Sequence, residues 1–354
     1  MHHPDICIAG AGIIGLSLAL ELNRRGMAVT VLDRSAPLTE ASIAAAGMLA
    51  AHDPHNPLKL QPLADLSLLL YPAFLERLCT FSGIEVPFQT HTTIQRDIAK
   101  PRRLHNALSR AQLDRLLPGN TLGNRHFYLL DEKSLDPRQL ATALLAAVQA
   151  TSIRLLPNTS FLATHSSGAT TTVSTSTGTI NTAAFVDCTG AWAVSGNLPV
   201  RPVKGQMLAV AIPPSLPLRF TLRTQSIYIV PRTQGPNAGR AIIGATIEDA
   251  GFDKTLHSSD IAHLRSLAAA LLPSLADAPQ LEVWAGLRPA TPDGLPLLGA
   301  LPTQPNHFIA TGHYRDGILL APATAHVMAQ LLSGESPSID LTPFYPTRKM
   351  PEST

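Results

Sequence analysis

The stretch Ile6-Cys-Ile-Ala-Gly-Ala-Gly-Ile-Ile-Gly-Leu-Ser-Leu-Ala-Leu-Glu-Leu-Asn-Arg-Arg-Gly-Met-Ala-Val-Thr-Val-Leu-Asp33 decides the fold. Its apolar opening, Ile6 to Ala9, reads as a parallel strand buried on both faces. Gly10-Ala-Gly-Ile-Ile-Gly15 follows, the glycine spacing of a dinucleotide-binding turn. Gly10 permits the tight turn, Gly12 lets backbone approach a pyrophosphate, and Gly15 lets the helix pack closely on the strand. Residues 16–25 carry apolar side chains at helical spacing and stop at Gly26. A second strand, 28–32, ends in Asp33, an acid placed to bind adenosine ribose hydroxyls. Free amides and the positive dipole at the helix start suit the pyrophosphate. The charge of Asp33 repels a 2′-phosphate, which argues against NADP and leaves FAD and NAD both open.

Composition narrows the class. The 354 residues suffice for two associated domains, and 45% apolar with 15% charged residues describes a core-forming protein. A net charge of +2 without basic clusters offers no footprint for nucleic acid. Cys7, Cys79 and Cys188 are too few and scattered for a disulfide framework, which fits a reducing cytoplasm. The first strand begins within about six residues of Met1, too early for a signal peptide, and no apolar run approaches a membrane span of ~20 residues. The expectation is a cytoplasmic protein, with homo-oligomerisation left open.

Further along, the small-residue run Ala41-Ser-Ile-Ala-Ala-Ala-Gly-Met-Leu49 suits either a tightly packed helix start or backbone passing a large flat group. Residues 65–82 form a helix with Leu66, Leu69, Leu70, Phe74, Leu75 and Leu78 on its apolar face, ended by Gly83. The stretch 87–130 suggests short strands and a helix over 109–117. Ser134-Leu-Asp-Pro137 caps a helix over 138–150, and 158–182 reads as hairpin strands. Strand 183–192 ends in Thr189-Gly190 and returns to the dinucleotide sheet. Strands 200–210, 226–232 and 241–247 open a second domain, with a helix over 259–271. Strand 282–289, strand 306–313 and helix 318–332 follow, with Pro322 tolerated in the helix's first turns. Pro337 to Pro346 mark a loose tail.

Separated stretches together resemble the D-amino-acid oxidase superfamily, and within it the glycine oxidases of the thiamine pathway. They are Gly10 to Gly15, Ala44-Ala-Ala-Gly-Met-Leu49, Tyr228-Ile-Val-Pro-Arg232, Trp284-Ala-Gly-Leu-Arg-Pro289, and Gly312-His-Tyr-Arg-Asp-Gly-Ile-Leu-Leu-Ala-Pro322. The crossing Arg201-Pro-Val-Lys-Gly-Gln206 is also typical of that superfamily. The resemblance implies an α/β fold: a Rossmann-type FAD-binding domain (1–82, 135–200 and 280–354) and a mixed or antiparallel-sheet substrate domain (83–134 and 201–279). It implies non-covalent FAD, contacted by Gly10, Gly12, Ile13, Ile14, Gly15, Asp33, Arg34, Ala41, Ser42, Ala46, Gly47 and Met48, then Ser160 and Gly190. His313, Tyr314, Arg315, Asp316, Gly317, Ile318 and Leu319 would embrace the flavin pyrimidine end, where helix amides stabilise an anionic reduced flavin. No cysteine lies in 282–300, so no covalent flavin link is expected there.

Arg288 is the expected carboxylate anchor: a guanidinium among apolar neighbours needs an anion, and its fork suits a carboxylate. The alternative is a structural ion pair. Tyr228 adds a hydroxyl; Met48 and Arg315 line the substrate, Arg315 through its carbonyl. Three positions depart from the family. Asp33 replaces a glutamate, and Ser226 and Ile247 stand where a histidine and a methionine are expected, which bears on side-chain preference.

The implied reaction is oxidative deamination of glycine or a similar small amino acid to an imine, with dioxygen reduced to hydrogen peroxide. The rivals are a D-amino-acid dehydrogenase passing electrons to a quinone, an NAD-dependent dehydrogenase, and a non-catalytic flavin-binding partner. No metal is expected: there is no His-Glu-x-x-His, and His52 and His55 fall in a proline-rich loop. A hydrolase is disfavoured because Gly-x-Ser-x-Gly is missing.

Overall fold

The computed structural model describes residues 3–96, 106–117, 125–193, 198–302 and 304–351. Parts of the stretch 87–130 assigned to short strands lie outside these. Ile6–Ala9, buried throughout, pairs in parallel with Val29–Leu32 on one side and Ala184–Asp187 on the other. Arg154–Leu156 and Gln304–Thr311 extend this sheet in parallel, and Leu297–Leu301 closes it antiparallel. Residues 161–182 form a separate antiparallel meander of three strands.

The second sheet has eight strands and is mixed, its one parallel pairing among the described residues being Thr221–Arg223 with Thr93–Arg96. Its spine is Arg201–Ala211, paired antiparallel with Gln280–Ala290 on one side and Arg240–Gly244 on the other. Tyr228–Arg232 follows next to Arg240–Gly244. The sequence expectation placed Gln280–Ala290 with the FAD-binding segments. Its long register with Arg201–Ala211 puts it in the eight-stranded sheet instead.

Three helices, Ile13–Arg24, Gln61–Ser82 and Gly317–Leu332, share the first sheet's core with a fourth, Pro137–Gln149. Gln61–Ser82 starts a turn earlier than the sequence suggested and ends at Gly83 in the left-handed conformation. Its buried face also differs. Leu63, Ser67, Tyr71, Phe74 and Leu78 turn inward, whereas Leu69 is 76% exposed.

Ser67 and Tyr71 lie inward because of Pro322. A proline inside a helix removes the N–H that the carbonyl four residues earlier requires. The Tyr71 hydroxyl donates to that carbonyl, on Ile318, at 2.6 Å. Ser67 donates to the next carbonyl, on Leu319, at 2.5 Å and accepts from the Ala323 N–H at 3.2 Å. Two polar side chains thus repair the helix whose first turn borders the cleft described below. The tail expected to be loose is packed: Phe344 is fully buried, and Arg348 pairs with Asp293 at 2.7 and 2.9 Å.

Tyr71→Phe leaves the Ile318 carbonyl buried and unsatisfied. The expected loss is about 1–3 kcal/mol of unfolding free energy, read as a lower denaturant midpoint with unchanged m-value. A midpoint within error of wild type would show that water replaces the hydroxyl.

Candidate active site

One cleft of about 370 Å³ runs between the two sheets, from the glycine turn to the strand carrying Arg288. Every cofactor or substrate residue expected from the sequence lines it except Gly15 and Leu319. A Cβ on Gly15 would fall 2.0 Å from the Gly10 carbonyl, so Gly15 serves the helix–strand contact. Leu319 is fully buried in the core beneath the helix start.

At the glycine end Gly10 has φ of +100°, and a Cβ there would meet the Cys188 carbonyl at 2.3 Å. Gly12 faces the cleft and supplies no capping side chain. Ser42 compensates, its Oγ accepting from the Ile13 N–H at 2.9 Å. The Asp33 carboxylate accepts from the Ala11 and Ser35 N–H groups at 2.7 and 2.9 Å. It braces the turn itself, so a ribose hydroxyl would share these oxygens. Arg34 lies over the Trp192 ring at 3.7 Å, and Trp192 stacks on Phe252. The Ser160 N–H donates to Ser176 Oγ, and the Gly190 carbonyl accepts from Thr311.

In the middle of the cleft, residues 44–48 are clamped by side chains from the eight-stranded sheet. The Trp284 indole donates to the Ala44 carbonyl at 3.0 Å, and Arg232 donates to the Ala46 carbonyl at 2.9 Å. Gly47 has φ of +83°, and a Cβ there would fall 2.1 Å from the Leu135 carbonyl. The turn into the last helix lines the same cleft. There the Tyr314 N–H donates to the Pro289 carbonyl at 2.8 Å, joining the helix start to the residue after Arg288. His313 hydrogen-bonds Thr324, and burial depresses its pKa to about 3, so the ring is neutral.

At the far end, the Arg288 guanidinium lies against Gly205, where a Cβ would come within 2.2 Å of Nη2. Arg288 Nη1 donates to the Lys204 and Thr246 carbonyls at 3.3 and 3.2 Å. It has no carboxylate partner among the described residues. The Tyr228 hydroxyl points to Met207 Sδ at 3.2 Å and packs where a Gly244 Cβ would be. Burial pushes this phenol above its ordinary pKa, against the opposing charges of Arg288, Arg315 and Arg232, so it remains a hydroxyl.

A charged wall completes the cleft. Arg223 and Asp53 line it, and Arg223 reaches Glu132 at 3.0 Å and Asp53 at 3.6 Å. Arg315 reaches the same Asp53 at 3.5 Å. Burial pushes Asp316 up to about 7, with Arg315 opposing and Asp53 adding to the rise. Sequence reasoning passed over Arg223, Asp53, Glu132, Gly205 and Gly244. Arg223 carried no signal like that of Arg288, since Thr221, Thr224, Gln225 and Ser226 surround it and an arginine in so polar a stretch reads as solvated. Ser226 and Ile247 are exposed at the cleft.

Known proteins share this architecture. The family model described as FAD dependent oxidoreductase (DAO) matches residues 5–331. Glycine oxidase of Geobacillus kaustophilus is 31% identical, the alignment covering 98% of this chain and 97% of that protein. A bifunctional ThiO/ThiG protein of Trichormus variabilis is 36% identical over 97% of this chain, which spans 55% of that longer protein. The crystal structure of the Geobacillus kaustophilus glycine oxidase superposes with a TM-score of 0.91 at 30% identity, covering 99% of this chain and 100% of that one.

Gly12→Val puts a branched side chain into the cleft where Ser42 already stands 3.3 Å from a Cβ. The variant is expected to fold, by circular dichroism, and to purify without flavin absorbance. A full complement of FAD in it would contradict the site. For Asp316, the folded state holds the proton more tightly than the unfolded chain. The stability this gives is complete below the ordinary aspartate range and is lost as pH rises through about 7. In the FAD-free protein, Asp316→Asn should therefore gain Tm over wild type progressively from pH about 4 to about 7 and hold a constant gain above. Parallel Tm–pH curves would contradict the assignment.

Proposed function

The chain belongs to the FAD dependent oxidoreductase (DAO) family, and from that premise we propose that it oxidises glycine or a similarly small amino acid to the imine, with dioxygen reduced to hydrogen peroxide. The observation that carries the reading is Arg288: a guanidinium facing the cleft, with carbonyl contacts but no acid beside it among the described residues. A structural ion pair, the alternative drawn from the sequence, has no partner there. The likeness to glycine oxidases over nearly the whole chain supports the substrate class, and the ThiO/ThiG relatives support a place in thiamine thiazole synthesis.

The cleft fits FAD on this chain's own features. Gly12 offers bare backbone beside a helix start that no side chain of its own caps. A strap of small residues is held open by Trp284 and Arg232, and a second helix start lines the same cleft. Gly10, Gly12, Ile13, Ile14, Asp33, Arg34 and Ser42 would hold the dinucleotide end, with Ala41, Ser160 and Gly190 beside them. Ala46, Gly47, Met48 and residues 313–318 would hold the ring. Bound FAD supplies the two-electron acceptor that dioxygen regenerates.

The protein's own contribution is orientation and charge. Arg288 takes the substrate carboxylate, and Tyr228, held as a hydroxyl, donates to the same group. Fixing the carboxylate turns the α-carbon toward the strap of residues 44–48, and the Arg315 carbonyl receives the amine. Removal of one amine proton to solvent gives the neutral amine, whose lone pair favours loss of the α-hydrogen with its electron pair. No side-chain base is required, and neutral His313 contributes none. Met48, Tyr228 and Met207 crowd the anchor and favour a small side chain.

Arg288→Met keeps the apolar stem and deletes the charge. The expected result is retained FAD with kcat/KM for glycine lower by roughly 10²–10⁴-fold, the kinetic equivalent of about 3–5 kcal/mol for breaking such a pair. Activity within about tenfold of wild type would remove Arg288 as anchor, and loss of FAD would restore a structural role. Tyr228→Phe, which removes one neutral donor, should cost about tenfold, mainly in KM.

A further inference from the structure

The cleft holds a second guanidinium that the proposed reaction leaves unused. Arg223 is 4% exposed, lines the cleft, and has no hydrogen-bond partner for Nη1 among the described residues. In the eight-stranded sheet it stands in register opposite Tyr228 on the neighbouring strand, so both side chains share one face. Tyr228 also couples to Arg288. The phenol is thus flanked by two arginines of different standing. Arg288 has no acid. Arg223 has Glu132 at 3.0 Å and Asp53 at 3.6 Å, and its Nε donates to Gln95 at 2.5 Å.

Both acids are themselves fixed. Glu132 accepts from the His52 N–H at 3.1 Å, and Asp53 accepts from the His55 N–H at 2.9 Å while facing Arg315 at 3.5 Å. Burial pushes Glu132 upward, with Arg223 opposing. Against the same push of burial, Arg223, His55 and Arg315 hold Asp53 well below the usual carboxylate range, so it keeps its charge. A bare Arg223 would offer a carboxylate the same planar fork as Arg288. With the charged Asp53 fixed on it and the Glu132 carboxyl beside it, an incoming anion meets like charge in a setting where water screens little.

We propose that Asp53 and Glu132 are specificity-determining residues: they neutralise Arg223 and hold Arg315, so the cleft accepts one carboxylate, at Arg288, and rejects amino acids bearing a second. The proposal rests on Arg288 as carboxylate anchor. It narrows the substrate class from small amino acids to small monocarboxylic ones.

The test titrates FAD-loaded protein with acetate and with succinate, following the change in flavin absorption and needing no turnover. Wild type is expected to bind acetate and to bind succinate more weakly. Asp53→Asn and Glu132→Gln should each tighten succinate by about tenfold while acetate stays within about threefold. Adding Arg223→Met to Glu132→Gln should abolish the gain. Unchanged succinate affinity in both single variants would overturn the proposal. So would equal tightening of both anions, which would mark a general charge effect, and loss of FAD from both variants, which would make the pair structural. If acetate leaves the wild-type spectrum unchanged, or binds Arg288→Met as well as wild type, the anchor reading fails and this proposal falls with it.

Discussion

The structure is arranged to keep one positive charge available. A guanidinium taken out of water without a counter-charge is costly, and proteins ordinarily meet it with an acid. Arg288 is met instead by two backbone carbonyls, which orient it without neutralising it. Room for it comes from Gly205, since any larger residue would occupy the guanidinium's place. Gly244 does the same for Tyr228. The neighbouring acids are spent on Arg223 and Arg315. What remains is a binding potential for one anion at one point.

That point matters only if the rest of the cleft is held at a fixed distance from it, and the tethers between the two sheets do this. Trp284 and Arg232 reach across to the carbonyls of residues 44 and 46, and Tyr314 N–H returns to Pro289. Trp284, Arg288 and Pro289 lie on one strand, Gln280–Ala290. A single rigid strand therefore sets the anchor, the strap and the last helix start relative to each other. The helix start is in turn fixed by Tyr71 and Ser67 at the break Pro322 makes. Among the described residues no helix is long and apolar enough to cross a membrane.

Much of this was legible because local chemistry dictated it. The glycine turn, its flanking strands and the closing acid left little freedom, and the observed strands Ile6–Ala9 and Val29–Leu32 fall where the sequence puts them. Arg288 was legible as a charge in an apolar run, and Tyr228 through its neighbourhood. The helix 61–82 was misread on its face because Leu signals burial more strongly than Ser or Tyr, and the need for Ser67 and Tyr71 arises from a proline roughly 250 residues away. The tail was misread because prolines suggest looseness, while Phe344 supplies the burial that holds it. The wall of Asp53, Glu132 and Arg223 gathers residues from distant segments. No spacing in the chain announces it.

The central claim is that the uncompensated Arg288 receives the substrate carboxylate. A crystal structure of the FAD-loaded protein with glycolate, a non-amine analogue of glycine, tests it most directly. The account predicts both carboxylate oxygens on the Arg288 guanidinium at about 2.7–2.9 Å, with the Tyr228 hydroxyl donating to one of them. A carboxylate bound instead at Arg315 or Arg223, with Arg288 turned onto an acidic side chain, would contradict it.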